Sequence, residues 1–389
     1  GDLVWATASY RPAIFTAKDD NSTGETISGS TGNPTGYYGG GLHIHGSWLG
    51  QNVHSNLCLF YLRNALDLGY DDAQQFILAD AQFVKCNSAI SLVGSLNANN
   101  VLFYKIATNF NSSAGESLWV GHQLTVDQCG VFNNAWKATI NLTNSLLVAV
   151  PNLDPSGYYW LYTNQVALLA SDTGIFQTTG GGAHYLAANS PYRNAGTTNL
   201  DASLLADLAA KTTYPPLAYT NITFPNYDTF YPMAQRDTDV PDLGFHFDAL
   251  DYLVGGVNVN ADTTFAPGTA VGWFRYNQGW YHAGHGIHVA DTKTLTFDGQ
   301  AESPCYFVHQ TAVQENRIGY TTIDAGPGGI TGWATTKANR PYLNLQFTRC
   351  AGLPIYRNHF RDDNGGLYVS ANHCEFFGGG LGGYVSDAG

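Results

Sequence analysis

The sequence predicts an all-β fold, a right-handed parallel β-helix in two segments, and three observations carry that prediction. First, a short pattern, apolar-any-apolar-any-any followed by Asn, Cys or Ala, returns every 21 or 22 residues. It occurs at Leu59/Tyr61/Asn64, Ala81/Phe83/Cys86, Leu102/Tyr104/Ala107 and Leu124/Val126/Cys129, and again, 24 residues apart, at Leu345/Phe347/Cys350 and Val369/Ala371/Cys374. Second, apolar alternation marks a strand with one buried face, and a strand repeated at this interval is one rung of a climbing solenoid. Third, the linking segments, such as Ser95–Asn100 and Asn111–Gly115, are rich in Asn, Gly and Ser, which build turns and oppose helices. A leucine-rich-repeat horseshoe shares the period, and residues 59–66 nearly match its repeat. It requires Leu at most buried positions, where this chain has Ala, Phe, Tyr, Val and Leu.

In chain order, Arg11–Ala17 reads as a strand of a helix already under way, followed by an acidic turn and a Gly/Ser/Thr-rich loop, Asn21–Gly41. Regular coils run from Leu57 to Val150, and Tyr158–Ala170 is a further apolar stretch. Asp201–Ala210 is the best helix candidate, short and amphipathic. These elements divide the chain into a first β-helix segment (1–150), an irregular closing region (151–252) and a second β-helix segment (253–389).

Several segments resemble recurring coils of one protein group. Arg11-Pro-Ala-Ile-Phe-Thr-Ala-Lys-Asp-Asp resembles an early "P-I-x-F-T-s" strand with its acidic loop. His184-Tyr-Leu-Ala-Ala-Asn-Ser-Pro-Tyr-Arg-Asn-Ala-Gly resembles the "y-x-L-x-x-x-S-P-a-i-d-a-G" segment that closes such helices. Asp237-Thr-Asp-Val-Pro-Asp-Leu-Gly-Phe-His-Phe resembles their terminal "D-i-G-a-y-E", with the final acidic residue replaced. Asp262–Val271 then resembles an opening strand, and Leu295–Val308 the coil that follows it. The order is middle, end, start, middle. Over most of its length the chain resembles the large, repetitive, secreted or cell-surface parallel β-helix proteins of environmental bacteria, of planctomycete and verrucomicrobial type, with a pectin-lyase-like fold. That resemblance implies an extracellular or cell-surface solenoid; fold alone does not carry an activity.

Composition bounds the partners. The 389 residues carry a net charge of −13, with only 12% charged residues and 44 Gly. An acidic chain without a basic cluster argues against nucleic acid and anionic membrane surfaces, and no apolar run reaches the length of a membrane span. The single methionine, Met233, is internal, so the expectation is a processed product or part of something longer. Few charged residues suit an extracellular protein, and Asn21, Asn111, Asn141 and Asn221 head Asn-x-Ser/Thr sites. The six cysteines include no C-x-x-C pair, which argues against zinc. Cys350 and Cys374 fall at one repeat position on successive coils, within reach of a disulfide; the alternative is two small buried ladder residues.

Catalytic constellations are incomplete. Gly284-His285-Gly286 matches a motif of polygalacturonase-type hydrolases, but Asp362-Asp363 follows it rather than preceding it, and the N-T-D and R-I-K motifs are missing. Paired carboxylates are needed for that chemistry, so His285 reads as a turn residue. His282, His285 and His288 are three apart and fall on alternate faces of a strand; His43 and His45 share a face but have no third ligand. Asp237, Asp239 and Asp242 form an acidic loop able to hold calcium with backbone carbonyls, as do Asp19, Asp20 and Glu25, the alternative being solvated acids. Arg236 and Arg361 adjoin acidic residues and read as ion pairs. Trp273, Phe274, Tyr276, Trp280 and Tyr281 crowd one segment, either an interface or sugar-stacking patch or a cap over the second helix.

The expected function is that of an extracellular structural or adhesive solenoid, a filament or surface-layer subunit that self-associates head-to-tail, the coils near Leu367–Gly383 stacking on the N-terminal coils of the next copy. The competing classes are a polysaccharide lyase or glycoside hydrolase on the same fold, and a carbohydrate-binding module.

Overall fold

The computed structural model describes residues 5–24, 27–44, 52–69, 74–112, 116–155, 157, 159–276, 286–316, 328–334, 336–363 and 366–382. Strand accounts for 52% of the chain and helix for 4%, and long parallel sheets dominate. The α-helix among the described residues, Ala202–Leu208, lies within the stretch Asp201–Ala210 and is capped by Asp201, whose carboxylate accepts from Ser203 N. Among the described residues no strand repeat carries a helix, which argues against the horseshoe alternative; the architecture is consistent with a β-solenoid.

The first stack comprises β1 (Ala13–Phe15), β2 (Tyr38–Ile44), β3 (Asn52–Phe60), β4 (Leu62–Leu68), β5 (Gln75–Val84), β6 (Ser88–Leu92), β7 (Ser95–Tyr104), β8 (Thr108–Asn111), β9 (Ser117–Asp127), β10 (Val131–Asn133), β11 (Ala138–Val148) and β12 (Tyr159–Leu169). One parallel sheet has the order β1-β3-β5-β7-β9-β11-β12, the other β2-β4-β6-β8-β10. Each long strand from β3 to β12 bends at one residue with positive φ: Asn56, Asp80, Asn100, Gln123, Asn144 and Gln165. Asn and Asp tolerate this left-handed conformation better than most residues, and the bend turns the second half of each strand onto a new face. A second left-handed ladder, Tyr61, Lys85, Lys105, Gln128 and Ala149, turns the next corner.

Inside, Leu59, Phe83, Phe103, Val126 and Leu147 pair in register up the stack. The rings of Phe83 and Phe103 stack at 5.1 Å. Each fully buried ring or branched chain contributes about 1.5–3 kcal/mol relative to exposure. This register corrects three rungs of the sequence pattern: Leu57 and Leu59, not Leu59 and Tyr61, stand opposite Ala81 and Phe83, Leu343 and Leu345, not Leu345 and Phe347, stand opposite Val369 and Ala371, and the third rung changes face. Val101 and Phe103 face inward, whereas Leu102 and Tyr104 face the second stack. A one-residue slip exchanges faces, and both faces of this strand are buried, so hydrophobicity alone did not separate them. The stack also continues through β12, past residue 150; Thr163 and Asn164 interrupt the apolar alternation there.

The second stack has three strands per turn. Leu217–Thr220, Tyr252–Gly255, Ala270–Trp273, Cys305–His309 and Thr348–Asp363 follow one another in parallel. Thr223–Phe224, Val257–Val259, Ile287–Val289 and Ile330–Trp333 form the second face. Asp228–Phe230, Thr263–Phe265, Thr294–Asp298, Tyr342–Gln346 and Tyr368–Asn372 form the third. It opens at Leu217, well before residue 253, with strands of two to four residues, too short to show a period in sequence. Its core is aromatic, with Phe265, Phe297, Phe307 and Trp273 buried together. The two stacks pack side by side through an apolar seam that includes Leu102, Tyr185, Phe245, Phe247, Ala270 and Val308.

Candidate functional site

The joint between the stacks concentrates the buried polar groups. Its base is the left-handed corner ladder of the first stack, whose side chains are polar because of the backbone they adopt. Residues 242–248 climb across this ladder. Gly244 N donates to Asn144 O at 2.9 Å, Phe245 N to Thr125 Oγ1 at 2.8 Å and His246 N to Asn100 Oδ1 at 2.7 Å. Asn100 Nδ2 returns a bond to His246 O at 3.0 Å. Gly244 has φ +90, and a Cβ there would stand 2.5 Å from Thr125 Oγ1, so the climb requires glycine.

Charged groups bolt this segment down. Lys211, almost fully buried, places Nζ 2.7 Å from Asp248, 3.3 Å from Asp80 and 3.7 Å from Asp207. Burial alone would push its pKa down, but the three carboxylates hold it well above the usual lysine value. Burial also raises Asp207 to about 6, against the opposing pull of Lys211. Arg236 pairs with the buried Asp251, which also accepts from Met233 N, Ala234 N and Ala270 N. His184 bridges the stacks: Nδ1 lies 2.6 Å from Glu315 of the second and Nε2 3.2 Å from Asp127 of the first. Burial lowers the pKa of this imidazole, but hydrogen bonds and charge from Asp127 and Glu315 outweigh it and push it up to about 9. The nearest sequence clues to these pairings were the two closing segments, which do pack on one another: Asn194 N donates to Asp242 Oδ1 at 2.7 Å and Gly196 N to Pro241 O at 2.8 Å.

The acidic loop proposed for calcium belongs to the same joint. Asp237, Asp242 and His246 bring ligand atoms within 4.8 Å of one another. The donors around them are already matched, however. Asp237 Oδ2 accepts from His246 Nε2 at 2.6 Å and from Asp242 N at 2.9 Å. Asp242 accepts from Thr213 Oγ1, Arg193 and Asn194 N. Asp239 sits against the Asn194 side-chain amide. An arginine and a histidine facing the carboxylates make this donor set a poor fit for a divalent cation, which needs six or more free oxygens. In the other acidic loop, Asp19 accepts from Thr31 N and Tyr38 Oη, and Asp20 from Ser22 and Thr16; Glu25 lies outside the described residues.

The remaining candidates separate. Trp273 and Phe274 are buried in the second stack and do not form a surface patch. Trp273 stacks on Phe307 at 6.1 Å because its strand is a central rung. Tyr276 is half-buried, and Trp280 and Tyr281 lie outside the described residues, as do His45, His282 and His285. His43 pairs with Asp67 at 2.6 Å, and His288 faces Thr331. Arg361, Asp362 and Asp363 lie on the strand beside Thr331–Trp333. Cys350 and Cys374 are free thiols. Cys350 pairs in register with Phe376, so a two-residue slip, invisible to the alternation, removes Cys374 from the position opposite it.

Comparison with family models, with curated proteins and with solved structures finds no match. No helix among the described residues is long and apolar enough to cross a membrane. The feature that remains is the open end of the first stack. In β12, Leu168 is 54% exposed, whereas Leu147, the residue it pairs with one rung below, is 1% exposed. Trp160 and Tyr162 of the same strand are also exposed.

Proposed function

We propose that the chain is an extracellular structural or adhesive subunit, built from two segments of right-handed parallel β-helix, that joins further copies through open rungs. The observation that supports this reading is β12. It is an eleven-residue edge strand, Tyr-Trp-Leu-Tyr-Thr-Asn-Gln-Val-Ala-Leu-Leu, with no charged residue and no proline. Natural edge strands are ordinarily blunted by charges, Pro, bulges or a covering element. Here the inner ladder ends in Leu161, Val166 and Leu168, and no described strand pairs with its free side. A partner strand would complete the backbone ladder and roof the exposed core. The last described rungs of the second stack, Tyr368–Asn372 and Glu375–Gly382, hold one charged residue between them. A join of one end to a different end is heterologous and propagates into filaments. The low charge of the chain is in keeping with a surface location.

The test is assembly. Light scattering and electron microscopy over a concentration series should show growing oligomers or fibres. The double substitution Leu161→Lys/Val166→Lys, which places charges on the open ladder, should leave a folded monomer. A wild-type protein that stays monodisperse and fibre-free at high concentration sinks the proposal.

A further inference from the structure

A groove on the outer face of the second stack is unused by the assembly reading. Its floor is the parallel register Tyr306–Arg349–Glu375, with Val308 paired to Ala351 beside it and Phe377 at one end. Its wall is the tight loop Ala8–Arg11, which crosses over from the first stack. That loop is fixed rather than loose. Ala8 and Arg11 exchange backbone hydrogen bonds at 3.2 and 2.9 Å. Tyr10 has φ +62, a costly conformation for a tyrosine. It is held there by Asp248, which accepts from its N–H at 2.7 Å, by Ala249 O, which accepts from its hydroxyl at 2.9 Å, and by stacking on Tyr306 at 4.1 Å. The groove's volume is about 280 Å³, just below the ~300–1,000 Å³ usual for ligand pockets.

The groove is chemically distinct from the rest of this acidic chain. Arg11 lies flat on the Phe377 ring, its guanidinium carbon 3.8 Å from the centroid, and no described carboxylate pairs with it. Arg349 lies 6.0 Å from the Tyr306 centroid and pairs with Glu375 at 3.0 Å. Two guanidiniums against one carboxylate leave a local positive excess in a protein of net charge −13. Both rings are half-buried; the face of an aromatic ring carries a negative quadrupole that attracts the C–H face of a pyranose, and a guanidinium binds carboxylate or sulfate in a fork. Thr348–Asp363, the middle strand of the floor, is hydrogen-bonded on both sides. Of the three floor strands only Glu375–Gly382 has a side that no described strand pairs with, so an extended peptide could add at that edge but not over the middle of the groove.

We propose that this groove binds an anionic saccharide, its charge a carboxylate or a sulfate held by Arg11 and Arg349 and its ring laid against Tyr306 and Phe377. The inference goes beyond the assembly reading and does not depend on it. Isothermal titration of the intact chain with tetragalacturonate, a sulfated galactan oligosaccharide, a neutral cello-oligosaccharide and a poly-glutamate peptide tests it. Binding of one or both anionic sugars, weakening as salt rises, is expected, and the two arms identify the charged group. Arg11→Ala and, separately, Phe377→Ala should each weaken it by about tenfold or more, while Arg11→Lys retains part of it; thermal melts confirm that each variant is folded. No binding of either anionic sugar, equal binding of the neutral one, binding of the peptide alone, or undiminished affinity in folded Arg11→Ala overturns the proposal.

Discussion

The imidazole of His184 sets the pH range over which the two stacks hold together. It is fully buried between Asp127 and Glu315, with the rings of Tyr104 and Phe176 packed against it at 4.6 and 5.0 Å. Its folded pKa, about 9, lies above the ordinary histidine value of 6.5. A group raised in this way contributes stability that is fully present below the unfolded value and is lost as pH rises through the folded one. The window is therefore about pH 6.5 to 9. A shift of this size is worth up to about 3 kcal/mol, a large fraction of the roughly 5–15 kcal/mol by which proteins are stable. The assay is the denaturant midpoint at intervals from pH 6 to 9.5, read together with hydrogen exchange over residues 176–186. Wild type should lose stability across the window, and exchange in that segment should rise first. The triple substitution Asp127→Asn/His184→Gln/Glu315→Gln keeps hydrogen-bonding groups of similar size without charge and should flatten the slope. A wild-type slope that persists unchanged in the triple variant would refute the assignment.

Three further outcomes follow from the same geometry. Gly244→Ala combines a positive φ with a Cβ 2.5 Å from Thr125 Oγ1 and should destabilise by about 2–4 kcal/mol, seen as a lower melting temperature; a loss under about 0.5 kcal/mol contradicts the climb described for this segment. Because the carboxylates of Asp237 and Asp242 already face Arg193, His246 and backbone N–H groups, neither excess calcium nor a chelator should move the melting temperature, and a calcium-dependent rise of several degrees overturns that reading. The six cysteines are free, so thiol titration of the denatured, unreduced protein should count all six; a missing pair would revive the Cys350–Cys374 disulfide.

Sequence carried the solenoid because apolar alternation at a fixed interval has few other solutions. It carried register less well, for a reason visible at particular residues. Leu102 and Phe103 are both fully buried, one against the second stack and one in the first core, so a pattern that equates apolar with inward cannot choose between them. Cys374 was displaced by a two-residue slip, which preserves every face. The crowded aromatics at Trp273 and Phe274 gave a composition signal without a direction, and the fold turned them inward. The polar corner ladder had a readable trace: Asn56, Asp80, Asn100, Gln123, Asn144 and Gln165 recur at the rung spacing. The bridge from Asp127 through His184 to Glu315 had none, since its members are 57 and 131 residues apart and nothing local to any of them announces the others.

The lateral joint and the axial ends are separable, and this gives a last prediction. The groove exists because residues 8–11 leave the first stack and lie on Tyr306 of the second, held there by Asp248 of the climbing segment and by Ala249 next to it. Asp248 is in turn fixed by Lys211. A substitution that loosens the climb should therefore open the groove without touching a residue that lines it. Lys211→Met is the sharpest choice: it removes the cation and leaves Asp248, Asp80 and Asp207 facing one another, which at buried sites costs about 3–5 kcal/mol. Saccharide affinity should fall with it, and adding Asp248→Asn should restore part of the stability by relieving the repulsion. The charges placed on β12 lie at the open end of the first stack and should abolish assembly while leaving saccharide affinity within about twofold, since sites without shared partners behave additively. If β12 substitutions weaken sugar binding as much as Lys211→Met does, the two surfaces are one, and the division between a lateral binding face and axial joining ends is wrong.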